Sequence, residues 1–194
     1  ASEAIASGTP VRVTARPTIA DGIRVAESGT RTFAALKELV DEIVLVSEEE
    51  IADAMLLLLE RKHVVAEGAG AAPLAALLNG SIPIPPGSTI VIVISGGNID
   101  SAQLFRITRQ AMARQGRILR FSILLDDRPG ALAELLAVIA AQGGNILHID
   151  HTQGEGYVPV MMARVEIELE TRGIEHAAAL LEAARVAGFQ VTTG

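Results

Sequence analysis

The chain has 194 residues, of which 49% are hydrophobic and 20% are charged, a composition typical of a globular protein and not of a disordered one. Its net charge of -7 and the lack of any basic cluster argue against a nucleic-acid-binding surface. The sequence has no cysteine, which excludes a disulfide and a cysteine nucleophile. Because it has no signal-peptide pattern at its start and no apolar run as long as a membrane span, we expect a cytoplasmic protein.

Helical and strand periods define the elements of the first part of the chain. The predicted elements are, in order, an irregular segment with one short helix (8–30), an amphipathic helix (32–41), a short buried strand (43–46), a helix (47–61), a Gly-rich helix entry (64–73), a rigid Pro-rich connection (81–87), a buried strand (89–94) and a helix ending near residue 114. Ser47 and Glu50 have the spacing of a capping box, and Gly116 suits a helix C-terminal cap.

The stretch from Thr89 to Asp100 holds the first candidate site. An apolar, β-branched run stops there at Ser95, Gly96 and Gly97, and ligands of open α/β sheets bind at the carboxyl ends of such strands. The paired glycines would let a ligand approach the backbone, and Ser95 would offer a hydroxyl. The same pattern also fits a tight turn followed by a helix that Asp100 caps.

A second candidate site lies where Glu67 precedes a Gly-x-Gly pair, Gly68 and Gly70, at a helix start. Backbone amides at such a start could cradle a phosphate. The dinucleotide-binding fingerprint is excluded because Pro73 stands where its third glycine belongs. Close helix packing through small residues is the alternative interpretation, and a carboxylate such as Glu67 in apolar surroundings would need a partner.

The second part of the chain changes its pattern at about residue 117 and predicts a β-α-β-β-α-β order, the ferredoxin-like topology. The predicted elements are a strand (119–125), a turn (127–130) with Pro129 at the first helical position, a helix stopped by Gly143 and Gly144, a strand (146–150), a hairpin-like loop (153–157), a strand (163–169), a helix from Ile174 to Gly188 and a strand (189–193). His148 and His151 cannot share a strand face, so we expect no metal site.

The sequence from Ser95 to Asp100, SGGNID after a strand, resembles the signature near the end of the catalytic domain in threonine ammonia-lyases and serine racemases. Thr18 to Gly22 matches the T-x-A-D-G segment of the same family. The family consists of pyridoxal-phosphate enzymes of the α/β, tryptophan-synthase β-like fold (fold type II). The resemblance implies that Ser95 hydrogen-bonds the pyridine nitrogen of pyridoxal 5'-phosphate. The cofactor-binding positions that it implies are Ser95, Gly96, Glu67 and Gly68.

The sequence from Asp127 to Leu132, together with Gly143 to Ile146, resembles an ACT domain, a small amino-acid-sensing module. The resemblance covers about residues 117–194 and implies an amino-acid effector, isoleucine or valine, bound between paired domains of a homo-oligomer. The effector-binding positions that it implies are Asp127, Gly130, Ala131, Asn145 and Ile146. Turn chemistry alone would also explain Gly130, and a strand-entry cap would explain Asn145.

The chain has two lysines, Lys37 and Lys62, and neither stands in the family's Schiff-base context. The resemblance therefore implies that residues 1–114 are the C-terminal portion of a catalytic domain, that residues 115–194 are its regulatory ACT domain, and that the catalytic lysine lies upstream. The implied reaction converts L-threonine (or L-serine) to 2-oxobutyrate (or pyruvate) and ammonia by β-elimination. Two alternatives stay open: a non-catalytic amino-acid sensor and a relative of the serine racemases.

Overall fold

The structure is a computed structural model that describes residues 1–154 and 158–193. Contacts between Cα atoms divide the chain into a first unit, Ala1–Ala111, and a second unit, Met112–Gly194. Part of the hairpin-like loop predicted at 153–157 lies outside the described residues. In the described part of the chain, no helix is both long enough and apolar enough to cross a membrane.

Helices dominate the first unit. Its elements are α1 (Ser2–Ser7), a 3₁₀ turn (Asp21–Ile23), α2 (Thr30–Leu39), α3 (Glu48–Leu57), a π-helical turn (Leu58–Lys62), α4 (Gly68–Leu78) and α5 (Ser101–Arg114), which ends in the second unit. The capping box predicted at the start of α3 is confirmed: the Glu50 amide donates to the Ser47 hydroxyl at 3.2 Å, and the Ser47 amide donates to the Glu50 carboxylate at 2.7 Å. The short helix predicted within 8–30 is the 3₁₀ turn.

The strands predicted at 43–46 and 89–94 do not form. Both segments lack a β-ladder, and Val91 and Val93 are 85% and 72% exposed, so the prediction of a buried strand is wrong for this chain. A strand needs a neighbour for its amide and carbonyl groups, and the described residues of the first unit supply none. The apolar composition of 89–94 is therefore not matched by burial.

The second unit has the predicted β-α-β-β-α-β order. Its elements are β1 (Ile118–Asp126), α6 (Ala131–Ala141), β2 (Asn145–Gln153), β3 (Met162–Glu170), α7 (Ile174–Val186) and β4 (Gln190–Thr193). The strands form one sheet in the order β2-β3-β1-β4, in which every pair is antiparallel. The ferredoxin-like topology predicted from the sequence is confirmed.

The alternating residues of β1 and β3 bury one face of this sheet against α6 and α7. Leu135 on α6 and Leu180 on α7 are both fully buried there. The buried core of the second unit consists of Phe121, Ile123, Leu125, Ala131, Leu135, Ile139, Val165, Ile167, Leu169 and Leu180. Since each strand alternates between this face and the opposite one, the polar residues of β1 and β3 lie on the other side.

The turn between β1 and α6 departs from the prediction. Gly130 is the N-cap of α6 with φ of 91°, so α6 begins at Ala131 and the placement of Pro129 at the first helical position is wrong. A left-handed residue between Pro129 and Ala131 breaks any helical path through Pro129. The predicted C-terminal cap after α5 is confirmed, because Gly116 has φ of 66° and its amide donates to the Ala113 carbonyl at 3.0 Å.

Candidate functional site

Three segments far apart in the sequence meet at the side chain of Glu67, the N-cap of α4. The Glu67 amide donates to the Gly96 carbonyl at 3.2 Å, which ties the start of α4 to the Ser95–Gly97 segment. A side-chain carbon at Gly96 would overlap the Glu67 carboxylate, and one at Gly22 would lie 2.9 Å from Glu67 Oε1. The Glu67 carboxylate is therefore held between two glycines, one from each of the other segments.

The Gly-x-Gly pair at the start of α4 packs directly against backbone. A side-chain carbon at Gly68 would overlap the Ile19 carbonyl, and one at Gly70 would overlap the Ser95 carbonyl. Close packing through small residues, one of the two interpretations left open by the sequence, is what the structure shows. Both glycines are needed because neither position has room for a Cβ atom.

The side chain of Ser95 is open to solvent. The residue is exposed, and its hydroxyl forms no hydrogen bond with any residue that the structure describes. Gly96 follows it with φ of 73°, a conformation that favours glycine. The predicted helix cap further on is confirmed, since Asp100 Oδ1 accepts the Gln103 amide at 2.8 Å. Ser95 thus remains available to a ligand beside Gly96 and Glu67.

Two cavities in the first unit lie beside this arrangement and do not coincide with it. One, of about 480 Å³, has Thr18, Glu48 and Ala69 in its wall. The other, of about 690 Å³, is lined mainly by apolar residues of 82–93. Ser95 and Glu67 line neither of the two. The arrangement of Ser95 and Glu67 is therefore distinct from both of these cavities.

Sequence reasoning missed the contact that fixes the Thr18–Gly22 segment. The Ile19 amide donates to Glu48 Oε2 at 2.7 Å, although the two residues are 29 positions apart. Glu48 stands in a run of three glutamates, which the sequence reads only as a favourable helix start. A pair so distant in sequence leaves no periodic signal.

Glu50, in the first turn of α3, connects the start of α3 to the end of α4. Besides the Ser47 amide, it accepts the Asn79 side-chain amide at 3.0 Å. The hydrogen bond from the Ser47 backbone, and then the one from Asn79, hold the pKa of Glu50 below its ordinary value of 4.5. The charged form of this carboxylate is therefore favoured in the folded protein.

The turn after β1 collects three of the predicted effector residues. The Asp127 amide donates to the Met161 carbonyl at 2.9 Å, and Gln153 Nε2 donates to Asp127 Oδ1 at 2.6 Å. The Ala131 amide donates to the Arg128 carbonyl at 3.3 Å, and the Ala131 side chain belongs to the core. The backbone of this turn is thus largely engaged within the unit.

An ion pair not foreseen from the sequence lies beside that turn. Arg128 donates to both carboxylate oxygens of Glu134, at 2.9 and 2.7 Å. This hydrogen bonding raises the pKa of Arg128 and lowers that of Glu134 from its ordinary 4.5. Both side chains are half exposed, so solvent screens their attraction.

The other two predicted effector residues lie at the opposite end of the sheet. Asn145 pairs with Glu170, which in turn pairs with Ile118 at the beginning of β1, whereas Asp127 follows the end of β1. The length of β1 separates the two groups by about 25 Å. Asn145 Nδ2 donates to Glu170 at 3.3 Å, and Ile146 packs against the core. One copy of the second unit does not bring all five residues together.

Comparisons with known proteins divide the chain in the same way as its motifs. Residues 1–96 match the family described as pyridoxal-phosphate dependent enzyme, and residues 118–186 match the ACT domain. The chain is 44% identical to the L-threonine ammonia-lyase of Thermotoga maritima over 184 residues, which cover 95% of this chain and 45% of that protein. It is 45% identical to the L-threonine ammonia-lyase of Geobacter sulfurreducens over 95% of this chain and 46% of that protein.

One solved structure extends the likeness to three dimensions. The processed form of threonine deaminase isoform 2 from Solanum lycopersicum superposes with a TM-score of 0.50 and 30% sequence identity, over 57% of this chain and 31% of that one. The chain thus spans less than half the length of the two bacterial relatives and less than a third of the solved structure that it matches.

Proposed function

Residues 1–96 belong to the pyridoxal-phosphate dependent enzyme family and residues 118–186 form an ACT domain, and on that premise we propose that this chain is the C-terminal part of a regulated threonine ammonia-lyase. The predicted fold classes, a type II pyridoxal-phosphate segment and a ferredoxin-like ACT domain, are confirmed. We place the end of the catalytic part at residue 114 and the beginning of the regulatory part at residue 115. We also assign the enzyme to the cytoplasm.

The convergence of three segments on Glu67 carries the proposal. The exposed hydroxyl of Ser95 fits pyridoxal 5'-phosphate, because a neutral donor can bond the pyridine nitrogen without a charged partner. Gly96, next to Ser95, has no side chain to displace the Glu67 carboxylate, and Gly68 lets the Thr18–Gly22 segment pack against the start of α4. Ser95, Gly96, Glu67 and Gly68 would therefore hold one edge of the cofactor ring.

Pyridoxal phosphate, when bound, supplies an electron-withdrawing ring that stabilises negative charge at the substrate Cα. The Ser95 hydroxyl would donate a hydrogen bond to the ring nitrogen of the bound cofactor, whereas an aspartate at this position would keep that nitrogen protonated. Ser95 would thereby limit delocalisation of negative charge into the ring and favour prompt loss of the β-hydroxyl. The Glu67 carboxylate lies between Gly22 and Gly96 and would restrict movement of a bound ring.

L-Threonine or L-serine is the substrate that we infer. The substrate loses its Cα proton and its β-hydroxyl together as one water molecule, and hydrolysis of the resulting imine by a second water releases ammonia and leaves 2-oxobutyrate or pyruvate. The base for the Cα proton is a lysine. Lys37 and Lys62 are both exposed, on α2 and in the π-helical turn, so we assign that role to a lysine outside this chain.

An amino-acid effector, isoleucine or valine, is the ligand that we propose for the ACT domain. Asp127, Gly130 and Ala131 lie about 25 Å from Asn145 and Ile146 within one copy, so a small effector can contact both groups only if they come from two copies. The register of the sheet thus supports a homo-oligomer in which paired ACT domains share each effector site.

The experiment that tests the cofactor site replaces Ser95 in the complete enzyme that contains this chain. Ser95→Asp places a carboxylate at the ring nitrogen, and we expect an altered cofactor absorbance and a turnover lower by about tenfold or more. Ser81→Ala, in the exposed connection before residue 87, is the matched control and leaves both unchanged. Unchanged absorbance and kinetics in Ser95→Asp would contradict the proposed site.

A second candidate function is a non-catalytic amino-acid sensor. The observation that favours it is the exposure of both lysines in the described structure. Isothermal titration calorimetry tests the sensor function. Isoleucine and valine are titrated into this chain and into its Asn145→Ala variant. A native gene product with no lysine-bearing segment before Ala1, together with effector binding that Asn145→Ala removes, would favour the sensor over the lyase.

A further inference from the structure

We propose that Glu48 is a positioning residue of the cofactor site, which holds the Thr18–Gly22 segment against Glu67. This inference rests on the proposed function, because it assumes that Glu67 lies beside bound pyridoxal phosphate. The contact that supports it is the hydrogen bond from the Ile19 amide to Glu48 Oε2 at 2.7 Å. A bond of this length to a carboxylate is charge-assisted and stronger than a neutral one.

The position of Glu48 is fixed independently of its hydrogen bond to the Thr18–Gly22 segment. It is the first residue of α3, whose start is fixed by the reciprocal bonds between Ser47 and Glu50. Glu50 also accepts the side-chain amide of Asn79 at the end of α4, at 3.0 Å. The helix N-terminus further favours a carboxylate at this position. Glu48 is thus a fixed point from which the loop can be held.

The loop that Glu48 holds is stiff and tightly fitted. The Ala20 amide donates to the Thr18 hydroxyl at 3.0 Å, and Ala20 is 3% exposed. The Ile19 carbonyl lies against Gly68 at such close range that a Cβ atom there would overlap it. Ile19 is therefore fixed on one side by its amide, through Glu48, and on the other by its carbonyl, against α4.

The last step connects the loop to the cofactor site. Gly22, three residues after Ile19, forms one of the two walls of the Glu67 carboxylate; a Cβ atom there would lie 2.9 Å from Oε1. The other wall is Gly96, next to Ser95. If Glu48 released Ile19, Gly22 would move away and Glu67 would gain room to rotate. Glu48 then acts on the cofactor only through Glu67.

The test compares Glu48→Ala, Glu48→Gln and Glu49→Ala in the complete enzyme. Glu49→Ala is the matched control: it removes a carboxylate from the same helix turn but not the acceptor of the Ile19 amide. We expect Glu48→Ala to weaken pyridoxal-phosphate affinity about tenfold. Glu48→Gln keeps an oxygen acceptor and should therefore retain most of the wild-type affinity. Hydrogen exchange of a peptide that contains Ile19 should accelerate in Glu48→Ala and remain slow in Glu49→Ala.

A double-mutant cycle separates positioning from general stability. In a Glu67→Ala background, Glu48→Ala should cause little further loss of cofactor affinity, because its effect passes through Glu67. Additive losses would overturn the inference, and so would an equal effect of Glu49→Ala. If the wild-type complete protein binds no pyridoxal phosphate, the proposed function fails and this inference fails with it; if the wild type binds it and Glu48→Ala binds equally well, the inference alone fails.

Discussion

The two units cover their apolar residues in different ways. In the second unit, inward side chains such as Ile123 and Ile167 are almost completely buried beneath α6 and α7. In the first unit, the apolar run at 89–94 has no neighbouring strand in the described part of the chain, and Val91 and Val93 are largely exposed. The second unit contains every strand that its sheet needs, whereas the first has strand-like segments without partners. Apolar sequence predicts burial only where the partner is present.

The largest expected effect compares one leucine with one valine from these two environments. Leu135 is completely buried in the second unit, so Leu135→Ala should lower the free energy of unfolding of this chain by about 2–5 kcal/mol. Val93 is 72% exposed, so Val93→Ala should change it by less than about 0.5 kcal/mol. Denaturant unfolding followed by circular dichroism measures both.

The same valine sharpens the comparison in the proposed complete enzyme. If the segment 89–94 acquires its strand partners there, Val93→Ala should become destabilising by about 1 kcal/mol or more, because the side chain is then buried. Leu135→Ala should cost the same in both proteins. A Val93→Ala effect that stays near zero in the complete enzyme would show that the segment is not an interior strand.

A smaller effect is expected from the tight contacts around Glu67. Gly70→Ala would place a Cβ atom on the Ser95 carbonyl, and the displacement needed should lower the free energy of unfolding by about 1–3 kcal/mol. Gly29→Ala is the control, because Gly29 has φ of -62° and its nearest neighbour would be Thr32 Oγ1 at 3.8 Å. Equal stability of the two variants would show that the approach of α4 to Ser95 is not tight.

Local patterns in the sequence predicted what local contacts decide. The capping box of Ser47 and Glu50 spans three positions, and the alternation along β3 reports its own buried face, so both predictions are confirmed. The wrong placement of Pro129 also has a local cause: Gly130 adopts a left-handed conformation that proline statistics do not reveal. The beginning of a helix is thus predictable from the sequence except where a left-handed residue such as Gly130 moves it.

The cofactor-binding role of the candidate residues stays a prediction, and their geometry was not predictable from the sequence. The family resemblance named Ser95, Glu67 and their glycines, and the structure brings these segments together. The hydrogen bond from Ile19 to Glu48 joins residues 29 positions apart, and no period in the sequence encodes it. The pattern at 89–94 wrongly predicted a buried strand, because burial there depends on neighbouring strands that the described residues lack.

A further prediction concerns how the helices of the second unit are held together. His176 Nδ1 accepts the Arg172 amide at 3.0 Å, so the proton of the neutral ring is on Nε2, which faces the Gln142 carbonyl at 2.8 Å. His176→Phe removes both bonds and should cost about 1–2 kcal/mol of unfolding free energy. The exposed His151 serves as control, and His151→Phe should leave the free energy of unfolding nearly unchanged. If His151→Phe lowered it as much as His176→Phe, the effect would come from the introduced phenyl ring and not from the lost hydrogen bonds.

The smallest expected effect is the acid dependence of stability, for which each unit offers one carboxylate. Hydrogen bonding to Arg128 lowers the pKa of Glu134, and the Ser47 amide followed by Asn79 lowers that of Glu50, in each case from 4.5. Because the folded state favours the charged carboxylate, the stabilisation is fully present above pH 4.5 and is lost as the pH falls through the lowered folded pKa. Arg128, whose pKa is raised, stays charged throughout this range.

Glu134→Gln and Glu50→Gln should each flatten the fall in stability below pH 4.5, measured as the denaturant midpoint at successive pH values. Both carboxylates face solvent, so each change is small, and both variants should resemble the wild-type chain at the lowest pH, where the carboxylates are protonated in either case. If the two units unfold separately, Glu134→Gln alters only the transition of the second unit and Glu50→Gln only that of the first. A single transition that either variant shifts would mean that the two units unfold as one, and the contrast in how they cover their apolar residues would then not extend to their stability.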